Sequence, residues 1–257
     1  MNAVLLSAGQ GKRLLPLTAN KPKCLLSVEG QSIIEWQIDE RARSGIDRIW
    51  VVVGYHADRV EQLLHKRYGP DRVAVIYNPT YTWADNLFSC WAAREAMGHD
   101  FVLLNGDTLF ESALLRRLMQ APVEPVTVVT HKKSHYDADD MKVSLQGDRL
   151  VNIGKKMAPG KVDAESIGMI LFRGNGPVMF RRAVERSLQN PAAIKQWYLS
   201  VIAGMAQSIQ VWTISANGLQ WCEVDFPADL KQAHKVVRAI SANSPDQAPA
   251  HRRYAFG

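Results

Sequence analysis

Four continuous apolar runs, each followed by a helical or loop pattern, constrain the fold of this chain more than any other feature. Residues 3–7 (AVLLS), 49–53 (IWVVV), 73–77 (VAVIY) and 101–104 (FVLL) are apolar at nearly every position. A strand of that kind must be covered on both faces. Between them, residues 32–44 carry apolar positions at helical spacing, open on Ser32 and stop before Gly45. Residues 58–67 read as a short polar helix capped by Asp58, and residues 87–96 as a third helix. This alternation predicts an α/β fold: a Rossmann-like, mixed but mainly parallel sheet with helices on both faces. The second half adds shorter, more polar strands at 126–130, 142–145 and 150–153, further strands at 167–172 and 209–214, and helices at 178–188, 193–205 and 228–240. It predicts a smaller, β-rich region. Residues 241–257 lack periodicity and read as a flexible tail.

Composition removes several classes of function. With 47% hydrophobic residues and a net charge of +6 over 257 residues, the chain is not of the disordered type. No run reaches the roughly 18 apolar residues of a membrane helix. The N-terminus has no basic region ahead of its apolar run and does not read as a signal peptide. Cys24, Cys90 and Cys222 are too few and too scattered for a disulfide framework or a zinc site. A reducing, cytoplasmic setting is expected. The basic surplus is compatible with nucleic acid, an anionic membrane or a small phosphorylated ligand.

The loop after the first strand decides among these. It runs Leu6-Ser7-Ala8-Gly9-Gln10-Gly11-Lys12-Arg13-Leu14-Leu15-Pro16-Leu17-Thr18 and continues to Lys21-Pro22-Lys23. Glycines at a strand end expose backbone N–H groups to an anion and allow close approach. The dinucleotide fingerprint is excluded, because Leu14 stands where its third glycine belongs. The Walker loop is excluded, because Arg13 follows Gly11-Lys12 and only one residue separates the glycines. Lys12, Arg13, Lys21 and Lys23 place four cations within twelve residues. Arginine grips phosphate oxygens in pairs, and lysine acts as a point charge.

Taken whole, the segment resembles the GxGxRLxPLT…PK signature of the sugar-phosphate nucleotidyltransferases, complete here as Gly9, Gly11, Arg13, Leu14, Pro16, Leu17, Thr18, Pro22 and Lys23. The resemblance extends to about residue 240. Asn105-Gly106-Asp107 is similar to the family's metal-binding Gly-Asp, and Glu223-Val224-Asp225 to the segment supplying a second metal-ligating aspartate. It implies a single domain over residues 1–240, with a nucleotide-binding half to about 120 and an acceptor-binding half beyond it. It implies that Asp107 and Asp225 hold Mg²⁺, an ion that prefers oxygen ligands and keeps phosphates in its shell. Leu6, Ser7, Ala8, Gly9, Gly11, Lys12, Arg13, Asn86 and Gly106 would bind the nucleotide. Arg13, Lys23, Asp107 and Asp225 would act in catalysis. Lys23, Lys155, Lys156, Glu165 and Gly168 would bind the acceptor.

Residues 77–89 (YNPTYTWADNLFS) depart from the Gln-rich stretch common in hexose-phosphate enzymes and resemble the Asn-rich stretch of the phosphocholine cytidylyltransferase-like branch. CTP and a small phosphorylated alcohol, amine or phosphonate are therefore the expected substrates, with neither nucleic acid nor a membrane as partner. Homo-oligomerisation is compatible with the sequence. The competing readings are a sugar-1-phosphate nucleotidyltransferase using UTP or dTTP, and a non-catalytic NTP-binding regulator. Asp137, Asp139 and Asp140 read as a solvated acidic loop, in preference to a pocket shared with Tyr136, Trp83 and Tyr81. His131 reads as a surface residue.

Overall fold

The structure is a computed structural model that describes residues 1–46, 48–158 and 160–243. In chain order the first half comprises β1 (Asn2–Ser7), β2 (Ser27–Val28), β3 (Gln31–Ser32), α1 (Ile33–Ala42), β4 (Arg48–Val53), α2 (Ala57–Tyr68), β5 (Val73–Tyr77), α3 (Asn86–Ala92), β6 (Phe101–Asn105), β7 (Thr108–Phe110) and α4 (Ser112–Met119). The second half comprises β8 (Val126–His131), β9 (Lys142–Gln146), β10 (Arg149–Gly154), β11 (Ala164–Phe172), α5 (Gly176–Leu188), α6 (Tyr198–Ala206), β12 (Trp212–Ser215), β13 (Trp221–Glu223) and α7 (Asp229–Asn243).

One nine-stranded sheet, ordered β5-β4-β1-β6-β11-β8-β12-β10-β9, spans both halves. The β5-β4-β1-β6 portion is parallel, as the apolar runs require. Beyond it β11 runs antiparallel to both β6 and β8, and β8 and β12 are parallel. The sheet is thus mixed, with parallel pairing confined to the first half and the β8–β12 pair. Alternate residues of one strand enter different cores. Val4 and Leu6 of β1 join a cluster under α3, α5 and α6, while Ala3 and Leu5 join a cluster under α1, α2 and α4.

Several boundaries differ from the sequence reading. Asp58 lies in the first turn of α2, and His56, in a left-handed conformation, holds the cap position. The helix expected at 87–96 ends at Ala92 and continues as a tighter turn over Arg94–Met97. That expected at 193–205 divides into a short turn at Pro191–Lys195 and α6. The apolar pattern alone does not register these breaks. The strand expected at 209–214 begins at Trp212. Most of the expected tail lies outside the described residues; α7 itself runs to Asn243. Among the described residues no helix is long and apolar enough to cross a membrane.

A third, smaller core matters most for function. Leu14 and Leu26 of the glycine loop, Leu109 of β7, Cys222 and Val224 of the β13 segment, and Ala233, Val236, Val237 and Ile240 of α7 pack together. This cluster fastens three remote stretches of chain, each carrying a candidate site residue.

Candidate active site

The first loop leaves β1 and closes on itself through Thr18, whose hydroxyl donates to the Gly11 carbonyl at 2.8 Å. Gly11 has φ +76°, and a Cβ on it would lie 2.8 Å from the Lys23 Cβ. Only glycine lets Lys23 pack there. Lys23 opens a tight turn after Pro22 and aims its ammonium inward.

Two backbone devices bring the aspartates to that ammonium. β7 and β13 form a two-stranded antiparallel ladder, pairing Thr108 with Glu223 and Phe110 with Trp221. The Val224 amide then donates to the Asp107 carbonyl at 3.1 Å. Gln37, buried on α1, donates its amide to the carbonyls of Asn105 and Thr108 at 2.8 and 2.7 Å, clasping the Gly106-Asp107 turn from both sides. Asp229, at the start of α7, accepts from the amides of Asp225 and Phe226. Gln37 lies outside every sequence motif; Asp229 belongs to the 223–230 stretch that resembles the family's second-aspartate segment, and only the contacts give either residue its role.

The result is a charge cluster. Lys23 Nζ lies 2.7 Å from Asp107 Oδ2 and 2.6 Å from Asp225 Oδ1, and its side chain is 13% exposed. Arg13 Nη2 lies 2.8 Å from the same Asp225 Oδ1, and its guanidinium covers the Phe226 ring at 4.8 Å. Burial opposes the charge on Lys23, but the two aspartates outweigh it and hold its pKa above the ordinary lysine value. Burial likewise opposes ionisation of Asp225, yet Lys23 and Arg13 hold its carboxyl below the usual range. Glu223 behaves in the opposite way: burial, then the charges of Asp107 and Asp225, push its carboxyl well above the usual range. Asp107 Oδ1 is buried without a hydrogen-bond partner. Two carboxylates facing one cation, with an acceptor atom to spare, suit an oxygen-preferring divalent ion. Among the described residues no group of three or more His, Cys, Asp or Glu is arranged around a metal position.

Gly106 and Gly168 fit tightly, whereas a Cβ on Gly9 would meet nothing within 4 Å. A Cβ on Gly106 would stand 2.4 Å from the Leu6 carbonyl and 2.5 Å from Ser7 Oγ. Gly106→Ala is expected to push the Asp107 turn off the end of β1 and reduce turnover at least about tenfold, since small misplacements at a reacting centre are costly. Crystallography of the variant should show the turn displaced; wild-type activity would refute the fit argument. Gly168 has φ +70° and faces the Asn105 side chain, which a Cβ would meet at 2.2 Å. The β11–β8 register slips at this point, between Ser166 and Ile170.

The remaining expected residues divide. Leu6, Ser7 and Ala8 are buried at the carboxyl end of β1, and Gly9, Lys12 and Arg13 are exposed in the loop beyond. Lys155 has Nζ 3.2 Å from Asp139 and 4.3 Å from the Trp197 ring centroid. Lys156 is exposed and, among the described residues, makes no ion pair. Asn86 spends its side-chain oxygen on the Tyr198 amide at 2.9 Å, which ties α3 to α6. Glu165 is buried on β11, and its charge reaches Glu223.

Two sequence readings need correction. The acidic loop is not simply solvated: Asp139 bridges Arg13, at 3.1 Å, to Lys155, and Asp140 pairs with Lys133. His131 is not a surface residue; it is half-buried and lies 3.2 Å from Glu165. A charge run looks solvated until the fold supplies cations from elsewhere. Two cavities, about 480 Å³ between α5 and α6 and about 530 Å³ behind Trp83, Phe88 and Trp91, share no lining residue with this cluster.

Residues 3–215, from the first strand through β12, match the MobA-like NTP transferase domain. The chain belongs to that family. Its relatives include the CMP-5'-(3-aminopropyl)phosphonate synthase of Streptomyces rubellomurinus, 29% identical over 241 residues, which are 91% of this chain and 38% of that protein. The chain therefore spans well under half the length of the synthase. The CTP:phosphoglutamine cytidylyltransferase of Campylobacter jejuni is 25% identical over 254 residues, covering 90% of this chain and 98% of that enzyme. The fold is shared with the CTP:phosphocholine cytidylyltransferase of Streptococcus pneumoniae, at TM-score 0.75 and 18% identity over 92% of this chain and 98% of the other. The mixed α/β sheet is thus that of a nucleotidyltransferase.

Proposed function

We propose that this protein transfers CMP from CTP to a small phosphate- or phosphonate-bearing acceptor, releasing pyrophosphate. The observation that carries this reading is Lys23 Nζ within 2.7 Å of both Asp107 and Asp225, beside Arg13 on the glycine loop. CTP as donor and an anionic acceptor are favoured by the reactions named for the Streptomyces and Campylobacter relatives. Residues up to about 120 would serve the nucleotide and those from 121 to 240 the acceptor.

In this reading an acceptor phosphate is already an anionic nucleophile, so no general base is needed, and positioning with charge neutralisation supplies the rate. Asp107 and Asp225 would hold Mg²⁺, which when bound neutralises charge on the reacting phosphates. Arg13 would grip the β- and γ-phosphates. Lys23 would leave its carboxylate partners and draw the acceptor phosphate and the α-phosphate together. Leu6, Ser7, Ala8, Gly9, Gly11, Lys12 and Gly106 would line the nucleotide, with Asn86 near it. Lys155 and Glu165 would face the acceptor, with Gly168 shaping the wall and Lys156 at the rim. The three cysteines are buried and unpaired, which fits a reducing compartment such as the cytoplasm.

The test is pyrophosphate release from CTP, UTP, dTTP and ATP against phosphocholine, 2-aminoethylphosphonate and glucose 1-phosphate. CTP with one of the first two acceptors is expected to give the highest kcat/KM. A preference for glucose 1-phosphate would favour a nucleotide-sugar enzyme instead. CTP binding by calorimetry without turnover on any acceptor would favour a regulatory homologue.

A further inference from the structure

A cation already lies against Glu165 at the start of β11. Lys133, two residues beyond β8, places Nζ 2.8 Å from Glu165 Oε2 and 2.8 Å from Asp140 Oδ2. The Tyr136 ring centroid lies 5.8 Å from that ammonium. His131 Nδ1 approaches the other Glu165 oxygen at 3.2 Å, and the His131 ring meets Trp221 edge-on at 5.1 Å. Trp221 stands two residues before Glu223, so this cluster adjoins the aspartate site.

The burial is unequal. The Glu165 side chain is 7% exposed and built into β11, whereas Lys133 is 28% exposed and reaches in from a loop on a flexible four-carbon stem. Two partly desolvated carboxylates that share one cation repel each other once it is withdrawn, so another cation or a shared proton must take its place. Nothing requires the cation to be Lys133. A lysine side chain is easily withdrawn into water, and a ligand ammonium presents the same N–H donors.

We infer that the Lys133 ammonium marks the position of a primary ammonium on the acceptor, and that Glu165 and Asp140 select such acceptors over quaternary ones. The inference rests on the proposed transfer reaction and goes beyond it, which treats amine and quaternary acceptors alike. Both contacts are at N–H···O hydrogen-bond length. A trimethylammonium has no N–H, and its methyl groups hold the nitrogen beyond that distance. Recognition of a quaternary group relies on aromatic faces around the cation. Here, among the described residues, only Tyr136 is disposed toward the ammonium, and Trp221 is engaged with His131. The acceptor would therefore be a phosphate or phosphonate joined by a short carbon chain to a primary amine.

A matched series tests this. Phosphoethanolamine and phosphocholine differ only in N-methylation, and ethyl phosphate lacks the amine. 2-Aminoethylphosphonate and its N-trimethyl derivative repeat the comparison for phosphonates. With CTP, kcat/KM for the primary amines is expected to exceed that for the quaternary ones about tenfold or more, mainly through KM, because unpaired buried acceptors penalise the analogue lacking donors. That ratio should fall toward one in Glu165→Gln. It should also fall in Asp140→Asn, which lies on a loop and keeps a readable folded variant if Glu165→Gln fails to fold. Lys133→Met should leave KM for phosphoethanolamine unchanged or lower, because a competitor is removed. Equal or better use of phosphocholine would overturn the inference. So would a ratio that neither carboxylate variant moves, or a KM rise in Lys133→Met that is larger for phosphoethanolamine than for ethyl phosphate. No pyrophosphate release with any acceptor would overturn the transfer reaction itself, and this inference with it.

Discussion

Replacing Lys23 with methionine is expected to lower kcat/KM about 10³-fold, equivalent to about 4 kcal/mol of transition-state stabilisation. Methionine keeps most of the side-chain length and removes the charge, so the loss would report electrostatics and not packing. A second effect follows from the geometry. Lys23 is the cation shared by Asp107 and Asp225. Without it, two carboxylates face one another and, among the described residues, only Arg13 remains as a cation beside Asp225. Removing one partner from such a cluster leaves uncompensated charge and destabilises it. The thermal midpoint of Lys23→Met should therefore fall in buffer without divalent ions. It should recover in part on adding Mg²⁺, with a larger increment than the wild-type protein shows. Near-normal pyrophosphate release would remove Lys23 from the mechanism, and a midpoint insensitive to Mg²⁺ would argue against the aspartates as its site.

Asp107→Asn should be comparably damaging. The amide keeps the shape of the side chain and loses the charge, and a neutral ligand holds Mg²⁺ poorly. A loss of about 10²–10³-fold in turnover at saturating CTP is expected, together with a raised Mg²⁺ requirement. The fold should survive. Gln37 holds the turn through the carbonyls of Asn105 and Thr108, and Val224 holds it through the Asp107 carbonyl, none of which involve the Asp107 side chain. An unchanged thermal midpoint with collapsed turnover would separate chemistry from architecture. Turnover within a few-fold of wild type would sink the assignment of Asp107 as a metal ligand.

The sequence already carried much of this. Its apolar runs marked β1, β4, β5 and β6, because a strand buried on both faces leaves a contiguous signal. Arg13, Lys23 and the glycines stand in one stretch, so their chemistry could be read without knowing any contact. Asp107 and Asp225 could be picked out by family resemblance, but not by spacing, since Lys23 reaches them across 84 and 202 residues of chain. Their convergence depends on the β7–β13 ladder and on the small core under α7, where Leu14, Leu109, Val224 and Val236 meet. Those short strands carry only three residues each, too few to show a period.

The amino-acid sequence by itself determined the layered α/β class and the cationic glycine loop, because each is written in neighbouring residues or in a local period, while Asp107 and Asp225 were marked only by resemblance to the family. Only the tertiary structure decided that Gln37 clasps the Asp107 turn, that Asp139 spans Arg13 and Lys155, and that Lys133 lies between Glu165 and Asp140. Each of these depends on sheet order and loop reach. An ion pair forms between whichever opposite charges the packed backbone delivers within a few ångströms, and no spacing along the chain encodes that meeting.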